Sequence, residues 1–167
     1  MNENYIVING KKIELTEEQL KQLGIEPEKK RKNPFERVKP NERYYYVESS
    51  GVINEYNDAN DTTDTQLYKI SNYFNDVAFA KQVALHQLLY RKLLKFAYDN
   101  DFKDTAEWNG SNQHWLIRRA YDTGALIIGV DYDYKSQNVY FSSDEGAKRA
   151  GNEVIMPFMK EHPEFVW

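Results

Sequence analysis

The sequence predicts an α+β fold: two β-β-β-α units of antiparallel sheet with a helix packed on each, preceded by a small β-hairpin-helix module. Three observations carry this reading. Tyr73-Phe74-Asn75, four residues, then Ala80-Lys81 returns 67 residues later as Tyr140-Phe141-Ser142, four residues, then Ala147-Lys148. Upstream of each copy lies an aromatic-rich stretch around a glycine, residues 44–56 around Gly51 and residues 115–134 around Gly124, which reads as a hairpin. Downstream of each lies a run with apolar residues at helical spacing.

Taken in order, residues 5–15 alternate around Asn9-Gly10, a turn pair that accepts positive φ at both positions. A short helix follows. Thr16 with Gln19 forms a capping box, Glu17 and Glu18 favour the positive end of the helix dipole, and Gly24 is a stop. The hairpin and helix make a module over residues 1–25. It is too small to stand alone, so it docks on the body, on a second copy in a homodimer, or on a target. Residues 26–42 read as a basic linker, because Pro27, Pro34 and Pro40 forbid continuous helix and the run 29–32 offers no buried face.

Residues 43–167 form the duplicated body. Strand-like runs over residues 67–74 and 138–141 end in the aromatic pairs, and Asn75, and Ser142 or Ser143, cap the helices that follow. The first helix, over residues 75–98, gathers Ala78, Leu85, Leu89, Leu93, Phe96 and Ala97 on one side and Lys81, Arg91, Lys92, Lys95 and Asp99 on the other. Leu88 falls among the charges, and Gln82 and His86 fall on the apolar side. The second, over residues 143–160, carries Ala147, Ala150, Val154 and Phe158, with a kink or an end expected at Pro157. Residues 99–112 are a polar loop between the copies.

Composition narrows the chemistry. The 167 residues contain no cysteine, which excludes disulfides, thiol nucleophiles and thiolate metal sites. No apolar run approaches a membrane span and no basic leader opens the chain, so the expectation is a soluble protein of the cytoplasm with no membrane partner. Net charge is −4, but residues 26–43 hold seven basic groups against four glutamates, whereas residues 54–76 hold five acids against Lys69 alone. The 13 tyrosines are suited to an interface, being rigid and apolar with a polar tip, although tyrosine also populates ordinary strands.

No catalytic motif stands out. The acidic run 58–64 invites a calcium-loop reading, but Thr63 occupies the position that needs glycine and Lys69 the one that needs a bidentate acid. A solvated loop or an acidic contact surface remains. His86, His114 and His162 lie in no ligand motif, and no serine is fixed beside His114. No two glycines stand two residues apart, so no dinucleotide-binding loop can be written. Asp131 and Asp133 share one face of a strand and Tyr132 and Tyr134 the other, more in keeping with an exposed acidic edge than with an acid/base pair. No catalytic, cofactor-binding or metal-binding residue is assigned and no cofactor is expected. The candidate protein-binding residues are Asp58, Asp61, Asp64, Trp108, Trp115, Asp131, Tyr132, Asp133 and Tyr134. An alternative surface for single-stranded nucleic acid combines Lys29, Lys30, Arg31 and Lys32 with Tyr44 and Tyr46, although a pI near 5.5 argues against it as the main role.

Asn33-Pro34-Phe35-Glu36-Arg37-Val38, Tyr44-Tyr45-Tyr46 with Gly51, Asn72-Tyr73-Phe74 with the helix bearing Ala80, and residues 157–165 resemble a group of small accessory proteins encoded by phages and prophages of Firmicutes. The resemblance covers most of residues 12–167 and brings no catalytic motif. It implies a non-enzymatic protein of the host cytoplasm that binds and inhibits a bacterial defence protein or ribonucleoprotein, anti-CRISPR proteins being examples. A nucleic-acid-binding accessory protein, and a hydrolase whose site joins residues distant in sequence, are the alternatives.

Overall fold

The computed structural model describes residues 5–8, 11–23 and 33–167. The chain divides into two units, Met1–Asn33 and Pro34–Trp167. In the first, β1 (Tyr5–Ile8) and β2 (Lys11–Glu14) pair antiparallel with Ile6 opposite Ile13, and α1 (Glu17–Gln22) follows. Its capping box is in place: Thr16 N–H donates to Gln19 Oε1 at 2.9 Å and Gln19 N–H to Thr16 Oγ1 at 3.3 Å. The Asn9-Gly10 turn, Gly24 and the basic run 29–32 lie outside the described residues.

The second unit holds two separate antiparallel hairpins and the main helices, an α+β arrangement. β3 (Arg43–Val47) pairs with β4 (Ile53–Asn57), and β5 (His114–Arg119) with β6 (Leu126–Asp131). Gly51 and Gly124 sit in the two turns at φ 87° and 67°, values that a Cβ would strain. α2 (Thr62–Lys69) and the 23-residue α3 (Val77–Asp99) follow the first hairpin, and α4 (Asp144–Ala150) follows the second.

The expected third strands are corrected. Leu67, Tyr68 and Lys69 are helical, in α2, because Asp61 and Asp64 close a reciprocal capping box that starts a helix there. What remains of each strand is one bridging residue. Phe74 exchanges backbone hydrogen bonds with Tyr45 at 2.7 and 2.8 Å, and Phe141 with Trp115 at 2.7 and 3.4 Å. The order is therefore β-β-α-α, then β-β-α. Residues 34–42, expected as linker, also belong to the body. Phe35 packs its ring 5.3 Å from those of Phe74 and Phe79, and Val38 is buried, because the segment carries apolar side chains between its prolines.

α3 is the spine. Ala80 and Ala84 pack against Val47 and Phe74 of the first hairpin region, Leu85 and Leu89 against Ile155, Phe158 and Phe165, and Ala97 against Phe141, Ala147 and Ala150. Leu85, Leu89 and Ala97 are buried and Leu93 and Phe96 half-buried, as the wheel predicts, but Ala78 is exposed and Leu88 packs on the core. The wheel assumes one buried stripe, whereas α3 meets neighbours on more than one side. After α4 the backbone widens into a π-helical segment, Gly151–Ile155, and continues as α5 (Met156–Glu161). Met156 N–H donates to Gly151 O, five residues back. The widening falls just before Pro157, whose ring would meet the carbonyl of Glu153 in a regular helix. No helix among the described residues is long and apolar enough to cross a membrane.

Candidate functional site

The acidic run 58–64 folds inward. Asp58 directly follows β4 and is 1% exposed. Its carboxylate accepts four hydrogen bonds: from Arg37 Nε at 2.8 Å and Nη2 at 3.1 Å, Tyr73 Oη at 2.7 Å, and Asn60 N–H at 2.7 Å. Those from Arg37 dominate, burial opposes them, and the net effect lowers the Asp58 pKa to about 2. Asp64 is fully buried. It accepts from Tyr44 Oη at 2.7 Å and from Asp61 N–H at 3.0 Å, and returns its own N–H to Asp61 Oδ1 at 2.9 Å. The Tyr44 and Tyr73 rings stack with centroids 4.0 Å apart at 12°. Burial first, and the neighbouring carboxylates second, hold both hydroxyls well above their ordinary pKa of 10.

Asp58 and Asp64 are therefore withdrawn from the expected contact surface. A buried carboxylate with a full set of donors is a structural anchor. Asp61 is exposed but caps α2. Tyr44, fully buried, is likewise withdrawn from the nucleic-acid surface, Tyr46 is half-buried, and Lys29, Lys30, Arg31 and Lys32 lie outside the described residues.

The second hairpin builds a parallel arrangement. Tyr140 Oη donates to Asp131 Oδ2 at 3.0 Å, and Arg118 forms an ion pair with the same carboxylate. Tyr73 and Tyr140 thus each bind an acid at the end of the second hairpin strand that an arginine also holds. Phe74 and Phe141 are each 1% exposed, Asp76 rather than the expected Asn75 caps α3 and Ser143 caps α4, and Ala80 and Ala147 are fully buried. His114 replaces Tyr44 at the position before the bridging residue, and Nδ1 lies 2.5 Å from Asp104 Oδ2. A carboxylate only accepts, so the proton sits on Nδ1. Trp108 stacks on the imidazole at 3.6 Å and 6°, and His114 Nε2 is buried without a hydrogen-bond partner in this arrangement. Sequence reasoning missed Arg37 and Asp104, because nothing in a linear charge pattern announces which acid a basic group will meet.

Of the remaining candidates, Trp108 is half-buried as the platform for His114, Trp115 is half-buried against the core around Phe141, and Asp131 is engaged by Arg118 and Tyr140. β6 ends at Asp131, so Asp131 and Asp133 do not share a strand face. Tyr132, Asp133 and Tyr134 lie in the loop beyond it, and all three are exposed. Gln113 Nε2 steadies Tyr132 Oη at 3.2 Å. Gly110, at φ 78°, lies where a Cβ would come 2.9 Å from Asp133 Oδ1, which brings the loop containing exposed Glu107 beside Asp133. Comparison of the chain with family models, curated proteins and solved structures returned no match.

Proposed function

We propose that the chain is a non-enzymatic binding protein that meets a basic surface of its partner through Tyr132, Asp133 and Tyr134. The observation that carries this reading is that Tyr134 is 85% and Tyr132 40% exposed, beside an exposed acid, on a loop that starts at Asp131, whose half-buried carboxylate accepts from the buried Tyr140. Exposed tyrosines supply contact area at low entropic cost, and the carboxylate supplies steering and register. The resemblance to phage and prophage accessory proteins supports a bacterial defence complex as the partner, a CRISPR effector ribonucleoprotein in the host cytoplasm foremost. Against a hydrolase, the Asp104–His114 pair has the form of a base with its orienting carboxylate, but His114 is fully buried and a substrate has no route to it. The test expresses the protein in bacteria with active CRISPR immunity and counts plaques from a targeted phage. The wild-type chain should restore plaques, and Tyr132→Ala with Tyr134→Ala should remove that effect. If plaque counts do not respond to the wild-type chain, the proposed partner is wrong.

A further inference from the structure

Between α3, β5, the loop at residues 137–139 and the segment around Phe165 lies a groove of about 570 Å³ that shares no residue with the Tyr132–Tyr134 surface. Its apolar lining comes from Leu89, Leu93, Ile117, Phe141 and Phe165. Its volume falls in the range of small-molecule sites, roughly 300–1,000 Å³, in which apolar walls bury a ligand body and a few polar groups orient it.

The lining side chains include a cation and no carboxylate. Arg91 and His86 line the groove, and no aspartate or glutamate does, in a chain whose net charge is −4. Arg37, Arg43, Arg118 and Arg149 each pair with a carboxylate, and Arg119 donates to Gly124 O. Among the described residues Arg91 makes no such pair. The Arg91 side chain lines the groove while its Nη2 lies near the first-hairpin turn, 3.7 Å from where a Cβ at Gly51 would stand. A guanidinium without a carboxylate partner among the described residues matches a single carboxylate, whose two oxygens fit its forked donors. The Gln137 and Asn138 amides line the same groove and can donate to an anion as well.

The Phe165 wall is fixed by bonds just outside the groove. Gln82 Nε2 donates to Glu164 O at 2.8 Å and Gln82 Oε1 accepts from Val166 N–H at 2.9 Å, while Lys81 pairs with Glu164 at 3.0 Å. These bonds fix Phe165 as one wall, with the His86 ring 4.7 Å from it. A preformed wall lowers the ordering cost of binding.

We propose that this groove binds a small amphiphilic carboxylate, an apolar chain or ring ending in one carboxyl group, with Arg91 as its counter-ion. The test titrates the full chain with 4-phenylbutyrate, 4-phenylbutanamide and 4-phenylbutylamine, with octanoate as an aliphatic probe. Binding is followed by calorimetry and by the indole N–H resonance of Trp167, which also lines the groove. A carboxylate should bind and shift Trp167 at least about tenfold more tightly than the amide, the amine should not bind, and Arg91→Gln should erase the preference. Asn138→Trp, at an exposed lining position, should block every probe. Absence of binding by both carboxylates, equal affinity for acid and amide, or an unchanged preference in Arg91→Gln would overturn the assignment.

Discussion

Four hydrogen bonds converge on the Asp58 carboxylate, from residues up to 21 positions away in sequence. Its pKa is lowered, so the sign is that of an acid stabilised in its charged form. The contribution is full above the unfolded value near 3.8 and is lost as pH falls towards about 2. That shift corresponds to about 2 kcal/mol. Asp58→Asn should therefore destabilise by about 3 kcal/mol at neutral pH, since Arg37 loses its ionised partner. The gap to wild type should narrow between pH 4 and 2, as urea unfolding would measure. A gap independent of pH would mean that Asp58 is not charged in the fold. Tyr44 and Tyr73 carry the opposite sign: their raised pKa values make contributions that are present below pH 10 and disappear as pH rises beyond it. None of this was legible in the sequence. Asp58 reads as one acid in a polar run, and only the chain path shows that Arg37 and Tyr73 close over it.

The longer elements were legible because their signals are periodic. α3 follows from the spacing of Leu85, Leu89 and Ala97, and each hairpin from its turn glycine between β-prone residues. The short elements were not. A β-prone Leu67-Tyr68 pair loses to the Asp61–Asp64 capping box, a local contest that residue preferences alone do not decide. Ala80 stood out only as part of the repeat and Ala84 not at all, since small residues mark a close helix–hairpin contact only once the hairpin is in place. Leu89→Ala, in the buried cluster with Ile155 and Phe158, should cost about 3 kcal/mol. Lys95→Ala, which removes only an exposed pair with Asp99, should cost about 0.5 kcal/mol or less. Similar shifts in denaturation midpoint for the two variants would show that α3 does not bury the face described.

For the whole molecule, burial changes where charge can act. A reversal of Asp58 or Asp64 tests folding, because a lysine there would face Arg37 or replace the acceptor of Tyr44 inside the body. The surface reading must be tested at Asp133 and Glu107, which are exposed and lie in loops that approach each other at Gly110. Asp133→Lys with Glu107→Lys should leave the melting temperature within about 2 °C of wild type, as surface changes of roughly 0.5 kcal/mol do. The same variant should lose the ability to restore plaques, because a reversed charge opposes encounter with a basic partner and misaligns the tyrosines. Asp58→Lys should lose both activity and the cooperative melt. A Glu107/Asp133 variant that still restores plaques would remove charge from the proposed contact and leave Tyr132 and Tyr134 to carry it alone. One that loses its cooperative melt would show instead that these loops hold the body together.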